Sequence, residues 1–173
     1  NVVIKNVSIN ATGIKHGVQF YCNNGGTLEN VTINGAEWTA VQVNGATNVT
    51  MTNCVLNPGT NAYTNIEYSM GSGVTTIPSM TITNVSGDVS NGRPMIWVDE
   101  DTVANIKNVM GATSTTDSDV QNKVLNSIIN NSYADLAIAF RFVKDGDIVA
   151  DVVDGIVYIP PVITNPSYAI SVP

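Results

Sequence analysis

Leu28-Glu29-Asn30-Val31-Thr32-Ile33-Asn34 decides how this chain is read, because the same phrase recurs along it. Its pattern is apolar-x-Asn-apolar-x-apolar-Asn. Full copies are Ile4-Lys5-Asn6-Val7-Ser8-Ile9-Asn10 and Met51-Thr52-Asn53-Cys54-Val55-Leu56-Asn57. Shortened copies are Ile82-Thr83-Asn84-Val85 and Ile106-Lys107-Asn108-Val109. The leading asparagines lie 24, 23, 31 and 24 residues apart. A period in this range marks stacked units, each burying its apolar face on its neighbours. Asparagine suits the corner between two strands because it tolerates a left-handed backbone. Stacked corners let one amide bond to the next, so the expectation is an asparagine ladder through Asn6, Asn30, Asn53, Asn84 and Asn108.

A second phrase follows 12 to 14 residues after each asparagine: Val18-Gln19-Phe20, Val41-Gln42-Val43, Ile66-Glu67-Tyr68 and Ile96-Trp97-Val98. The period of two reads as a strand. Strand, corner, strand, loop and third strand in about 23 residues predict one turn of a parallel β-helix, with about five or six such coils. Residues 1–111 carry the regular coils. Residues 112–173 are the degenerate final coils and C-terminal β cap of the same domain. Val124-Leu125-Asn126-Ser127-Ile128-Ile129-Asn130 reads as a further copy. The coils then extend to residue 142, or residues 136–159 form an antiparallel meander around the turns at Asp145-Gly146 and Asp154-Gly155. Val120 to Ile129 is the one stretch with a helical pattern.

Through Asn6, Asn30, Asn53, Asn84, Asn108 and their apolar neighbours the chain resembles the right-handed parallel β-helix proteins of the pectin-lyase-like superfamily. That resemblance implies an all-β solenoid, a secreted or cell-surface bacterial protein, and a saccharide groove on the outer face of the second-phrase strand. It does not select an activity, since the group spans lyases, hydrolases, adhesins and tailspikes.

Composition narrows the partners. The chain has 173 residues, a net charge of −7, 43% hydrophobic and 12% charged residues. Clustered Lys and Arg for phosphate are missing, which argues against nucleic acid. No apolar run approaches the ~20 residues of a membrane-spanning helix. Upstream coils of the same chain are expected to cover the uncapped first coil. Cys54 takes the place of Val7 and Val31 and reads as a buried thiol. Cys22 lies outside the phrase, and the repeat gives no support to a bridge between the two.

Alternation assigns outward positions. Gln19, Gln42, Glu67 and Trp97 form one column; Tyr21, Asn44, Ser69 and Asp99 lie beside it; Ala139 and Arg141 continue the two. Amides, a carboxylate, Tyr and Trp suit sugar recognition, so Gln19, Tyr21, Gln42, Asn44, Glu67, Trp97 and Asp99 are the expected ligand-binding residues. Glu67 and Asp99 are the weak catalytic candidates, at a diagonal of roughly 7–8 Å that suits an inverting pair. Arg141 is a third, as a lyase base. The Asp-rich and Gly-His-Gly motifs of polygalacturonases do not occur, and His16 reads as a loop residue. Asp99-Glu100-Asp101 offers oxygens to calcium or is a solvated loop. Asp117-Ser118-Asp119 lacks the closing Glu of an EF-hand. No cofactor or resident metal is expected. The leading expectation is a non-catalytic extracellular β-helix segment that binds glycan or mediates adhesion. The alternatives are the C-terminal part of a polysaccharide lyase or glycoside hydrolase, and a trimeric tailspike-like protein.

Overall fold

The computed structural model describes residues 1–132, 138–145, 147–153, 167–168 and 171–172. The strands in chain order are β1 (Val3–Asn10), β2 (Ile14–Tyr21), β3 (Asn24–Asn34), β4 (Thr39–Asn44), β5 (Thr47–Thr52), β6 (Val55–Asn57) and β7 (Thr64–Ser69). They continue with β8 (Met80–Thr83), β9 (Ser86–Gly87) and β10 (Ile96–Val98). Helices α1 (Glu100–Met110) and α2 (Asp117–Asn126) follow, then β11 (Ile128–Asn131), β12 (Ile138–Lys144), β13 (Asp147–Val153), β14 (Ser167–Tyr168) and β15 (Ser171–Val172).

The first phrase builds a seven-stranded parallel sheet from β1, β3, β5, β6, β8, β9 and β11. Asn6, Asn30, Asn53 and Asn84 have φ of 56°, 54°, 52° and 51°, which is the left-handed corner. The corner explains why β3 serves two neighbours: before Asn30 it pairs with β5, after it with β6. The second phrase builds an eight-stranded sheet in the order β13-β12-β10-β7-β4-β2-β14, with β15 also on β2. Every pairing in it is parallel except β12 with β13. The register Gln19↔Gln42↔Glu67↔Trp97↔Ala139 runs through it. Apolar residues of both sheets, among them Phe20, Ile33, Val43, Met51, Ile66 and Phe140, share one buried core.

The expected β-helix is not formed. Among the described residues the strands make two sheets, one wholly parallel and one mixed, and no further sheet closes them into a solenoid coil. The phrase specifies strand, corner and strand; nothing in it specifies a closing strand. The last regular copy fails outright, because Ile106-Lys107-Asn108-Val109 lies inside α1 and Asn108 takes no part in the amide column. Helix formation wins there for a local reason. The Asp99 side chain accepts from Thr102 N at 2.7 Å, and Glu100 and Asp101 lie in the first turn, where carboxylates favour the helix dipole. Val103 and Ile106, three apart, then join the core. The 124–130 copy fails similarly. Thr116 and Asp119 close a capping box that starts α2, and only the end of the copy is strand. Asp117-Ser118-Asp119 is thus a helix start.

Residues 138–145 and 147–153 extend the second sheet and add no coil. The strand β12 continues the parallel sheet, and β13 returns antiparallel through Asp145, whose φ is 54°. Asp154-Gly155, within the proposed C-terminal cap, lies outside the described residues. Cys22 is exposed and Cys54 buried, and both are free thiols.

Candidate functional site

The two sheets treat their outer faces differently. On the seven-stranded sheet the corner amides form a column: Asn84 donates to Asn53 at 2.8 Å, Asn53 to Asn30 at 3.1 Å and Asn30 to Asn6 at 3.0 Å. A second column runs Asn57 to Asn34 to Ser8 at 3.1 and 3.2 Å. These side chains lie near solvent and satisfy one another.

On the eight-stranded sheet, the column expected to face solvent is buried. Gln19, Gln42, Glu67 and Trp97 are only 6, 5, 5 and 2% exposed, so the column is no open groove. Gln19 donates to Gln42, which donates to Glu67 Oε1 at 2.8 Å. Tyr63 closes the row with its hydroxyl on Glu67 Oε2 at 2.6 Å. Part of the cover is Tyr63, which bonds Glu67, lies beside Trp97 and belongs to a second row. Counting four residues back from Gln19, Gln42, Glu67 and Trp97 gives Lys15, Trp38, Tyr63 and Arg93. Backbone bonds Trp38 N to Lys15 O and Tyr63 N to Trp38 O, both 3.0 Å, hold the first three at successive levels. The same ruler that found the first column therefore finds this one.

The second row carries two aromatic rings, Trp38 and Tyr63. Trp38 and Tyr63 have ring centroids 6.1 Å apart, and Tyr63 lies 6.5 Å from Trp97. Trp38 and Tyr63 are half-buried and so reach the surface. The Lys15 ammonium lies 3.6 Å from the Trp38 ring centroid, a cation–π contact. Arg93 is buried and structural: it bonds Asp88 at 2.8 Å and the carbonyls of Gly59 and Thr60 at 3.1 and 3.2 Å.

Burial sets the electrostatics. The Glu67 carboxyl is pushed up to about 7, first by loss of water and then by the Asp99 charge, against the opposing bonds from Tyr63 and Gln42. His16, expected in a loop, is a fully buried residue of β2, with Nδ1 3.8 Å from Glu67 Oε2. Burial, and secondly Lys15, hold its imidazole down to about 3. A neutral imidazole therefore faces a carboxyl that is protonated below neutrality, and the contact is not an ion pair. Burial also lowers Lys15, with Glu67 opposing.

The remaining predicted residues separate. Tyr21, Asn44 and Ser69 are in register, with Tyr21 exposed and the other two nearly covered. Asn44 accepts from Gly71 N at 3.0 Å. Asp99 leaves the sheet to cap α1, and burial raises its carboxyl. Arg141 sits against Glu100 at 3.5 Å, and the Asp99 charge is felt at Glu67. Among the described residues no group of three or more His, Cys, Asp or Glu side chains is arranged to hold a metal. No protein-family model, curated protein or solved structure matches this chain.

Proposed function

We propose that this is a non-catalytic glycan-binding protein of the extracellular or cell-surface kind, and that the Trp38–Tyr63 strip is its contact surface. The observation that carries this reading is the aromatic row itself. Two half-exposed rings stand 6.1 Å apart, with the Tyr63 hydroxyl anchored on a buried carboxyl. Rings held at such spacing present flat apolar area to the C–H faces of successive sugars, and tyrosine keeps its polar edge satisfied. The amide and carboxyl column acts beneath them as the support that sets their angle. This reading moves the ligand from the column, which is buried, to the row above it.

The test is a binding screen of the intact chain against neutral and uronic-acid polysaccharides. Saturable binding lost in Trp38→Ala and in Tyr63→Phe plus Trp38→Ala is the expected result. A blank screen, or binding indifferent to Trp38→Ala, removes the proposal. A degradative alternative draws on one observation, a carboxyl poised near neutrality as general acid–base catalysis requires. Chain cleavage by the wild type that Glu67→Gln abolishes would favour that alternative over simple binding.

A further inference from the structure

The donor sense of the buried column fixes where a proton on Glu67 sits. Gln19 Nε2 donates to Gln42 Oε1, so the Gln42 carbonyl is taken and its amide nitrogen is left for the next strand. That nitrogen donates to Glu67 Oε1 at 2.8 Å. Oε1 is therefore an acceptor whatever the charge of the carboxyl. A proton on Glu67 belongs on Oε2, which lies 2.6 Å from the Tyr63 hydroxyl. His16 Nδ1, at 3.8 Å from Oε2, is beyond hydrogen-bond distance.

The Tyr63 hydroxyl thereby has two senses. Beside the carboxylate it donates its proton inward and offers only lone pairs elsewhere. Beside the carboxylic acid, Oε2 donates to the phenol oxygen, and the phenol proton is released for another acceptor. Tyr63 belongs to both layers, with its hydroxyl on Glu67 and its half-buried ring 6.1 Å from Trp38 on the strip. Among the described residues, the titratable groups that face Glu67 are Lys15 and His16 of β2, Tyr63 before β7 and Asp99 after β10. Burial, and then the Asp99 charge, bring the Glu67 transition to about 7, so both senses are populated near neutrality.

We propose that Glu67 is a specificity-determining residue of the strip: with Oε2 protonated, it makes the Tyr63 hydroxyl a donor that selects sugars carrying an acceptor-only substituent, such as an O-acetyl ester. A sugar hydroxyl donates or accepts and so adapts to either sense, whereas an ester carbonyl only accepts. Glu67 touches no ligand in this scheme and acts through Tyr63. The inference rests on the glycan reading for its ligand; the reversal of the hydroxyl rests on the hydrogen-bonded row alone.

The test reads the hydroxyl first and the sugar second. Infrared difference spectra of the intact free chain between about pH 6 and about pH 8 should show the Tyr63 C–O stretch moving as the acid C=O band of Glu67 disappears. Tyr63→Phe identifies the first band by its loss. Glu67→Gln freezes that band at its acid position, because Gln42 still donates to the side-chain oxygen and an amide nitrogen is left for Tyr63. A Tyr63 band that stays still in the wild type, or still moves in Glu67→Gln, overturns the proposal. Calorimetry then compares an O-acetylated xylo-oligosaccharide with its deacetylated parent over the same interval. The acetylated sugar should lose about tenfold in affinity as pH rises and the parent less than about twofold, with Glu67→Gln and Tyr63→Phe each removing the difference. Equal pH dependence for the two sugars overturns the selection. Binding of neither sugar, beside a moving Tyr63 band, overturns the glycan reading and the sugar selection with it, while the control of Tyr63 by Glu67 stands.

Discussion

The amide-cornered sheet and the aromatic-covered sheet grow from the same repeat and solve opposite problems. In the first, the outward residues stay near water, and asparagines bond sideways to Asn, Ser8 or Thr83 one strand away. In the second, the outward residues are roofed over. Gln19, Gln42 and Glu67 must then be satisfied by one another and by Tyr63. Buried polar groups carry a penalty when a partner is lost, whereas exposed ones fall back on water. Periodicity alone therefore does not say which face of a repeat is robust; what covers it does.

The largest expected contrast is between truncations of equivalent outward positions. Trp97→Ala, at a 2% exposed site, should cost about 3–5 kcal/mol by chemical denaturation. Thr50→Ala, outward and half-exposed on the other sheet, should stay within about 0.5 kcal/mol. Equal losses at the two sites would erase the distinction drawn above.

Proton linkage gives the next largest effect, read at Glu67 and His16 of the covered sheet. Glu67 holds its proton in the folded state up to about 7, against an ordinary 4.5, so its contribution to stability falls as pH rises through that interval. His16 stays neutral in the folded state down to about 3, against an ordinary 6.5, so its contribution rises with pH across that range. Between 4.5 and 6.5 one proton is gained and one lost, and the two slopes cancel. Glu67→Gln removes the Glu67 limb. Stability of that variant should then rise across the window, by at most about 1.4 kcal/mol per pH unit, visible in denaturation midpoints. A variant as flat as the wild type there would show that the two groups do not titrate as opposed partners.

A smaller effect separates the two jobs of a corner. Asn53 has φ of 52° and bonds to both Asn30 and Asn84. Asn53→Ala should cost about 2 kcal/mol, since it loses the bonds and strains the left-handed backbone. Asn53→Gly keeps the backbone and should cost about 1 kcal/mol or less. Thermal melts of the pair distinguish corner strain from the amide column.

How far the sequence could be read follows the same divide. The corners Asn6, Asn30, Asn53 and Asn84 were legible because a positive φ admits few residues, so the demand leaves a mark at each copy. The register Gln19↔Gln42↔Glu67↔Trp97 was legible because each sits at the centre of the same apolar-x-apolar phrase. The closure of coils was not, since strand–corner–strand is local and says nothing of a third side. Helix α1 was hidden because Ile106-Lys107-Asn108-Val109 satisfies the phrase while Val103 and Ile106 satisfy a helix. The site was half legible. Alternation tells which way Glu67 points but not what lies over it, and Trp38, Tyr63 and His16 sat in stretches read as connections. Asp99-Glu100-Asp101 looked like a free acidic loop because its first carboxylate serves as a helix cap, a role that depends on Thr102 three residues on.

The corner amides have an electrical consequence. Asn84, Asn53 and Asn30 each donate toward the next lower-numbered member, and the parallel column from Asn57 to Ser8 runs in the same sense. Aligned amide dipoles polarise one another along a hydrogen-bonded chain. The sheet is thus a small electret, polarised across its strands, with the positive pole at the β1 edge. Replacing Asn30 by Asp would insert a member that can only accept, splitting the polarised line in two. The stack would keep its geometry and lose its direction.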